Sequence, residues 1–266
     1  MTAATLAVPG AELYYEVRGR GPLLVLAGAP MDARAFGDLA DRLADGFTVL
    51  TTDPRGIGRS PVDDPDADST PDERADDLAA LIAHLDAGPA IAFGSSGGAV
   101  SVLALAQRHP ASVSAVIPHE PPLTDLLDDR AEIRDRTEEM IAVHATGDRR
   151  GAWLLFLKNA GIELPGPVFE AMFAAPLDGR DAADENFQFA HLLRATTRWE
   201  PDVTALRAGP RIVVGIGEES AGQLCDRTAR ALAARLGTDP VLFPGDHTGF
   251  LTHGPAFAGR LRSVLS

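Results

Sequence analysis

The five residues Gly94-Ser95-Ser96-Gly97-Gly98 constrain this chain more than any other stretch of it. They follow the uninterrupted apolar run AIAF at 90–93 and precede a helical pattern at 102–105. A strand that passes into a helix across so short a turn brings the two backbones close together. Only residues without side chains fit beside the crossing, and Gly94 and Gly98 stand two places either side of Ser96. Ser96 therefore takes the apex of a sharp turn in a strained backbone conformation. Centring the turn on Ser95 fails, because Phe93 would then occupy the first glycine position. The pattern G-x-S-x-G in a strand–turn–helix setting presents a serine hydroxyl at the carboxyl edge of a sheet as a candidate nucleophile. A phosphate-cradling glycine loop is the competing reading, and it lacks the lysine such a loop requires.

Other short apolar runs repeat the signature of a strand covered on both faces: 23–26 (LLVL), 47–51 (FTVLT), 113–117 (VSAVI), 212–214 (IVV) and 241–243 (VLF). The β-leaning runs 5–8 and 13–17, parted by Pro9 and Gly10, suggest an early hairpin. Helical patterns fall between the strands. Thr70-Pro71-Asp72-Glu73 reads as a capping box with proline at the first helical position, and Leu78, Leu81, Ile82 and Leu85 follow it at the spacing of a buried face. The Ala-rich stretch 229–236 also reads as helix. Strand and helix in alternation predict an α/β fold, a mostly parallel central sheet flanked by helices.

One segment breaks the alternation. Residues 123–207 show helical patterns and no convincing strand, which predicts a helical cap, or lid, inserted after the sixth strand into a core made of 1–122 and 208–266. The segment holds Trp153, Phe156, Phe169, Phe173, Phe187, Phe189 and Trp199. Of these, Trp153, Phe187 and Phe189 are the expected substrate-lining side chains, with burial in the cap's own core the plainer alternative for each.

A serine hydroxyl needs a base. Among seven histidines, His247 stands in the loop Pro244–Phe250 beyond the last strand, where it can reach the same sheet edge as Ser96; His253 is the fallback. The base needs an acid to orient it. Glu120, in His119-Glu120-Pro121-Pro122 just after 113–117, lies slightly ahead of Glu219 on position alone. Two backbone amides should hold a developing oxyanion: Gly97, next to the nucleophile, and Ala29, since Pro30 has no N–H to give.

With 24 Lys plus Arg against 38 Asp plus Glu, the net charge of −14 repels phosphate backbones and anionic lipid heads, so neither nucleic acid nor a membrane is an expected partner. The single cysteine, Cys225, rules out an intrachain disulfide and cysteine-rich metal centres. No basic-then-apolar leader opens the sequence, so the expected location is the cytoplasm. A homodimer is compatible with the sequence. The aspartates 63, 64, 66 and 68 lack the glycine and glutamate of a calcium loop, and no cofactor or metal is implied.

Together these motifs resemble the α/β-hydrolase superfamily over nearly the whole chain. Asp53-Pro54-Arg55-Gly56-Ile57-Gly58-Arg59-Ser60 is similar to that superfamily's D-x-R-G-x-G-x-S turn, and Gly28-Ala29-Pro30 to its oxyanion loop, with Ala27 where a histidine is usual. A closer resemblance, carried by Ser95-Ser96-Gly97, His119-Glu120 and Pro244-Gly245-Asp246-His247, is to the zearalenone lactonase-like serine hydrolases. That resemblance implies Glu120 as the acid, in agreement with Ser220 standing where the commoner aspartate would be. The expected function is a serine hydrolase acting on a small-molecule carboxylic ester or lactone through an acyl-enzyme, with Ser96, His247 and Glu120 as its triad. Carbon–carbon bond hydrolysis, perhydrolysis and a ligand sensor with vestigial turnover are the alternatives.

Overall fold

The computed structural model describes residues 1–175, 177 and 179–265, and of Ala174 the backbone only. Nine strands form one sheet: β1 (Thr2–Val8), β2 (Ala11–Gly19), β3 (Leu23–Ala27), β4 (Thr48–Thr52), β5 (Ala90–Ser95), β6 (Val113–His119), β7 (Arg211–Ile212), β8 (Gly215–Gly217) and β9 (Val241–Phe243). Their order is β1-β2-β4-β3-β5-β6-β8-β9, with β7 also paired to β6. β1 pairs antiparallel with β2 as the expected hairpin, β2 antiparallel with β4, and all other pairs are parallel. The expected strand at 212–214 is broken. Val213 still donates to Val116 and Val214 still accepts from Val241, so the backbone hydrogen bonds turn from one neighbour to the other where the ladder is interrupted.

Successive residues of a strand face opposite sides of the sheet, and β3 uses both. Leu23, Val25 and Ala27 join a core with residues of helices Pro71–Leu85, Gly97–Arg108 and Leu224–Leu236. Leu24 and Leu26 join a second core with residues of helices Gly37–Leu43 and Gly254–Leu265. An uninterrupted apolar run is what such a doubly covered strand requires. Helix Pro71–Leu85 begins at the expected capping box: Thr70 Oγ1 accepts from the Glu73 amide, and Glu73 Oε2 accepts from the Thr70 amide.

The turn after β4 is tied down by its own motif. Asp53, fully buried, accepts from the amides of Ala33 and Arg59 and from the Arg59 guanidinium. Arg55 makes a two-pronged ion pair with Asp77, at 2.6 and 2.7 Å.

Between β6 and β7 the described residues form no strand. Helices Arg130–Ala145, Arg149–Ala160, Gly179–Phe187 and Leu193–Thr197, with shorter turns between them, pack over the carboxyl ends of the parallel strands.

Candidate active site

Ser96 lies between β5 and helix Gly97–Arg108 with φ 57° and ψ −124°, a left-handed conformation that only a closely packed surround sustains in a residue with a side chain. Its neighbours show why they are glycines. A Cβ on Gly94 would stand 2.3 Å from the Gly98 carbonyl oxygen, one on Gly98 2.2 Å from that of Ala27, and one on Gly97 2.3 Å from that of Ala29. The last contact presses the loop after β3 against the helix start. Gly97 is the first helical residue, so its amide has no carbonyl within the helix to bond.

His247 comes from the loop after β9 and Glu120 from the end of β6. Glu120 Oε2 lies 2.5 Å from His247 Nδ1, and Glu120 Oε1 accepts from the Gly217 amide at 2.8 Å. Glu120 is wholly buried and also holds a left-handed backbone, φ 52°. Burial alone would raise its pKa, but the hydrogen bond and charge of His247 outweigh that and bring it down to about 2. His247 moves the other way. Burial would lower it, but Cys225, followed by the Glu120 carboxylate, raises it above the ordinary imidazole value.

A cavity of about 130 Å³ opens over this group, with Ser96, Gly97, Ala29 and His247 in its wall. No hydrogen bond joins Ser96 to His247 here; such contacts are often long without substrate. The remaining wall is apolar or neutral, including Ile133, Met140, Phe156, Leu192, Leu193 and Thr196, and among the described residues it carries no carboxylate, lysine or arginine.

The structure separates the other candidates. Glu219 is exposed on the surface, and His253 is exposed against Thr252. Asp246 turns back onto the Thr248 amide and hydroxyl. The three expected lining aromatics need correction. Trp153 donates to Glu185 at 2.8 Å and stacks on Phe173, Phe189 is buried beneath His144 at 4.1 Å between ring centres, and Phe187 packs with Ile57. None stands in the cavity wall, where the helical segment contributes Phe156 as its aromatic. Large rings bury most area by packing on other side chains: Trp153 and Phe189 do so within the helical segment, and Phe187 where that segment meets Ala29 and Ile57. Sequence reading also missed Cys225, which lines the cavity with its sulfur within 4.8 Å of ligating atoms of both Glu120 and His247. Nothing local marks it, since it approaches from a different helix.

Residues 21–150 match the family model of the α/β-hydrolase fold. The uncharacterised hydrolase YraK of Bacillus subtilis is 33% identical over 263 residues, 98% of this chain and 95% of that protein. This chain belongs to the α/β-hydrolase superfamily. The hydrolase is also 33% identical to the zearalenone hydrolase of Bionectria ochroleuca over 132 residues, 48% of this chain and 50% of that enzyme. Its fold matches that of an esterase from Exiguobacterium antarcticum with a TM-score of 0.74 at 22% identity, over 99% of each chain.

Proposed function

We propose that this hydrolase cleaves an uncharged carboxylic ester or lactone through an acyl-enzyme on Ser96. The observation that carries the reading is the conjunction at one cavity: a strained serine at a helix start, and a histidine held 2.5 Å from a buried carboxylate. Glu120 accepts from His247 Nδ1, which leaves Nε2 as the nitrogen to take the Ser96 proton. As Oγ bonds to the carbonyl carbon, charge collects on the carbonyl oxygen, where the Gly97 and Ala29 amides are suited to receive it. His247 then returns the proton to the departing alkoxide, and water repeats the sequence to free the acid and restore Ser96. The helical segment 123–207 acts as a cap over the reacting atoms, and its neutral wall selects substrates without charge near the scissile bond.

Labelling with a fluorophosphonate probe tests the reading, with the modified peptide located by mass spectrometry. Wild type is expected to carry the label on Ser96, and Ser96→Ala to carry none while losing turnover of a short-chain p-nitrophenyl ester. A folded wild type that neither labels nor turns over any ester or lactone in a broad panel would sink it.

A further inference from the structure

Cys225 makes and breaks no bond in the proposed ester chemistry, yet its sulfur sits beside the hydrogen-bonded pair Glu120 and His247. One atom each from Cys225, His247 and Glu120, all of types that bind metals, lie within 4.8 Å of one another. We propose that these three residues form a binding site for a soft divalent cation such as zinc, and that the cation acts as a reversible inhibitor of the hydrolase. The donors are a thiol, an imidazole and a carboxylate, a set that suits zinc and disfavours the all-oxygen preferences of magnesium and calcium. Zinc holds such donors about 3.5 Å apart, so the ion is reached by Cys225 moving in while Glu120 Oε2 and His247 Nδ1, now 2.5 Å apart, separate by roughly an ångström, or by the imidazole ligating through Nε2.

The site is anchored on one side and adjustable on the other. Glu120 is fixed through Oε1 by the Gly217 amide, while Oε2 faces His247. His247 rides on a loop and keeps about a fifth of its side chain exposed. Cys225 stands in the first turn of helix Leu224–Leu236 and lines the same cavity as Ser96 and His247, so an ion reaches the site from that cavity. Binding releases the thiol proton and any proton on the ligating imidazole nitrogen, so affinity falls in acid. An ion held there occupies the imidazole that the serine needs. That inhibitory consequence rests on the proposed function; the binding does not.

The test is calorimetric titration of the full chain with zinc chloride, together with cobalt(II) titration read at the thiolate-to-cobalt charge-transfer band in the near ultraviolet. Wild type and Ser96→Ala are expected to bind one ion each and to show the band. Cys225→Ser and Cys225→Ala are expected to lose the band and to bind zinc at least about tenfold more weakly. Two cysteine variants guard against one misfolding, and circular dichroism checks both. Undiminished zinc binding by Cys225→Ser, a cobalt complex without the band, or no binding by wild type at a millimolar excess would each overturn the site. Zinc binding without fluorophosphonate labelling of Ser96 would keep the site and sink the serine reading; labelling without zinc binding would do the reverse.

Discussion

Glu120 carries the heaviest load of any single side chain, because it is buried, charged and shared between His247 and the Gly217 amide. Replacing it with glutamine keeps the shape but puts an amide where the imidazole needs an anion. We expect Glu120→Gln to lower kcat by about 10³–10⁴-fold with KM little changed, read with a chromogenic ester. Cys225 acts on the same histidine from the other side. It raises the His247 pKa, so Cys225→Ser weakens that influence and the acidic limb of the kcat/KM profile should shift to lower pH. His119, next to Glu120 in sequence, faces the other way. Its ring is wholly buried among Phe93, Phe243 and Phe257, neither nitrogen has a hydrogen-bond partner, and burial lowers its pKa to about 4. The unfolded chain binds that proton from about pH 6.5 downward and the folded chain does not, so stability is lost as pH falls from 6.5 toward 4. The loss is on the order of 3 kcal/mol by the low end of that range. His119→Phe should abolish this component of the acid limb in urea melts taken across that range, and should raise stability at pH 7 by about 1 kcal/mol.

At the scale of elements, helix Pro71–Leu85 offers the cleanest case. Thr70→Ala removes the side-chain half of the capping box, while the amide of residue 70 can still donate to Glu73; it should cost about 1 kcal/mol, seen as a lower urea midpoint with an unchanged slope. The same helix shows why much of the fold was legible in the sequence. A capping box and a buried stripe are local patterns, and the apolar runs of β3, β5 and β6 follow directly from their burial on two faces. The glycines around Ser96 were legible for the same reason, since each answers to a backbone contact fixed by the turn itself. Contacts between distant segments were not legible. Trp153, Phe187 and Phe189 look like a substrate wall because aromatics suit one, but Trp153 and Phe189 fill the helical segment's own interior and Phe187 packs against Ala29 and Ile57, leaving the wall to residues such as Ile133, Met140 and Thr196. The break at Val213–Val214 went unseen because either side of it is equally apolar. The Glu120–His247 contact was open between two glutamates until a resemblance favoured one, and Cys225 was invisible because nothing in its neighbourhood marks where that helix points.

Across the whole molecule, Arg74 joins the sheet-bearing part to the helical segment. It is buried, with its pKa pushed down by burial to about 9, and it donates to the Ser69 carbonyl, to Ser101 Oγ and to Thr196 Oγ1 at 2.5, 2.8 and 2.8 Å. Ser101 belongs to the helix that begins beside Ser96, and Thr196 stands in the cavity wall. Arg74→Met leaves all three acceptors short of a donor. It should destabilise the protein by about 2–3 kcal/mol and open residues 123–207 to limited proteolysis before the remainder of the chain. The placement of the carboxylate on β6 reaches beyond the proton relay proposed for it. Because Glu120 precedes the helical segment, the loop after β8 has no acid to supply: Ser220 is buried there, Glu218 and Glu219 point to solvent, and Gln223 and Leu224 face the cavity. Under the proposed function, Gln223 and Leu224 offer protein engineering a stretch of cavity wall set apart in sequence from Ser96, Glu120 and His247, where side chains can be exchanged to retune what is accepted without rebuilding the reaction.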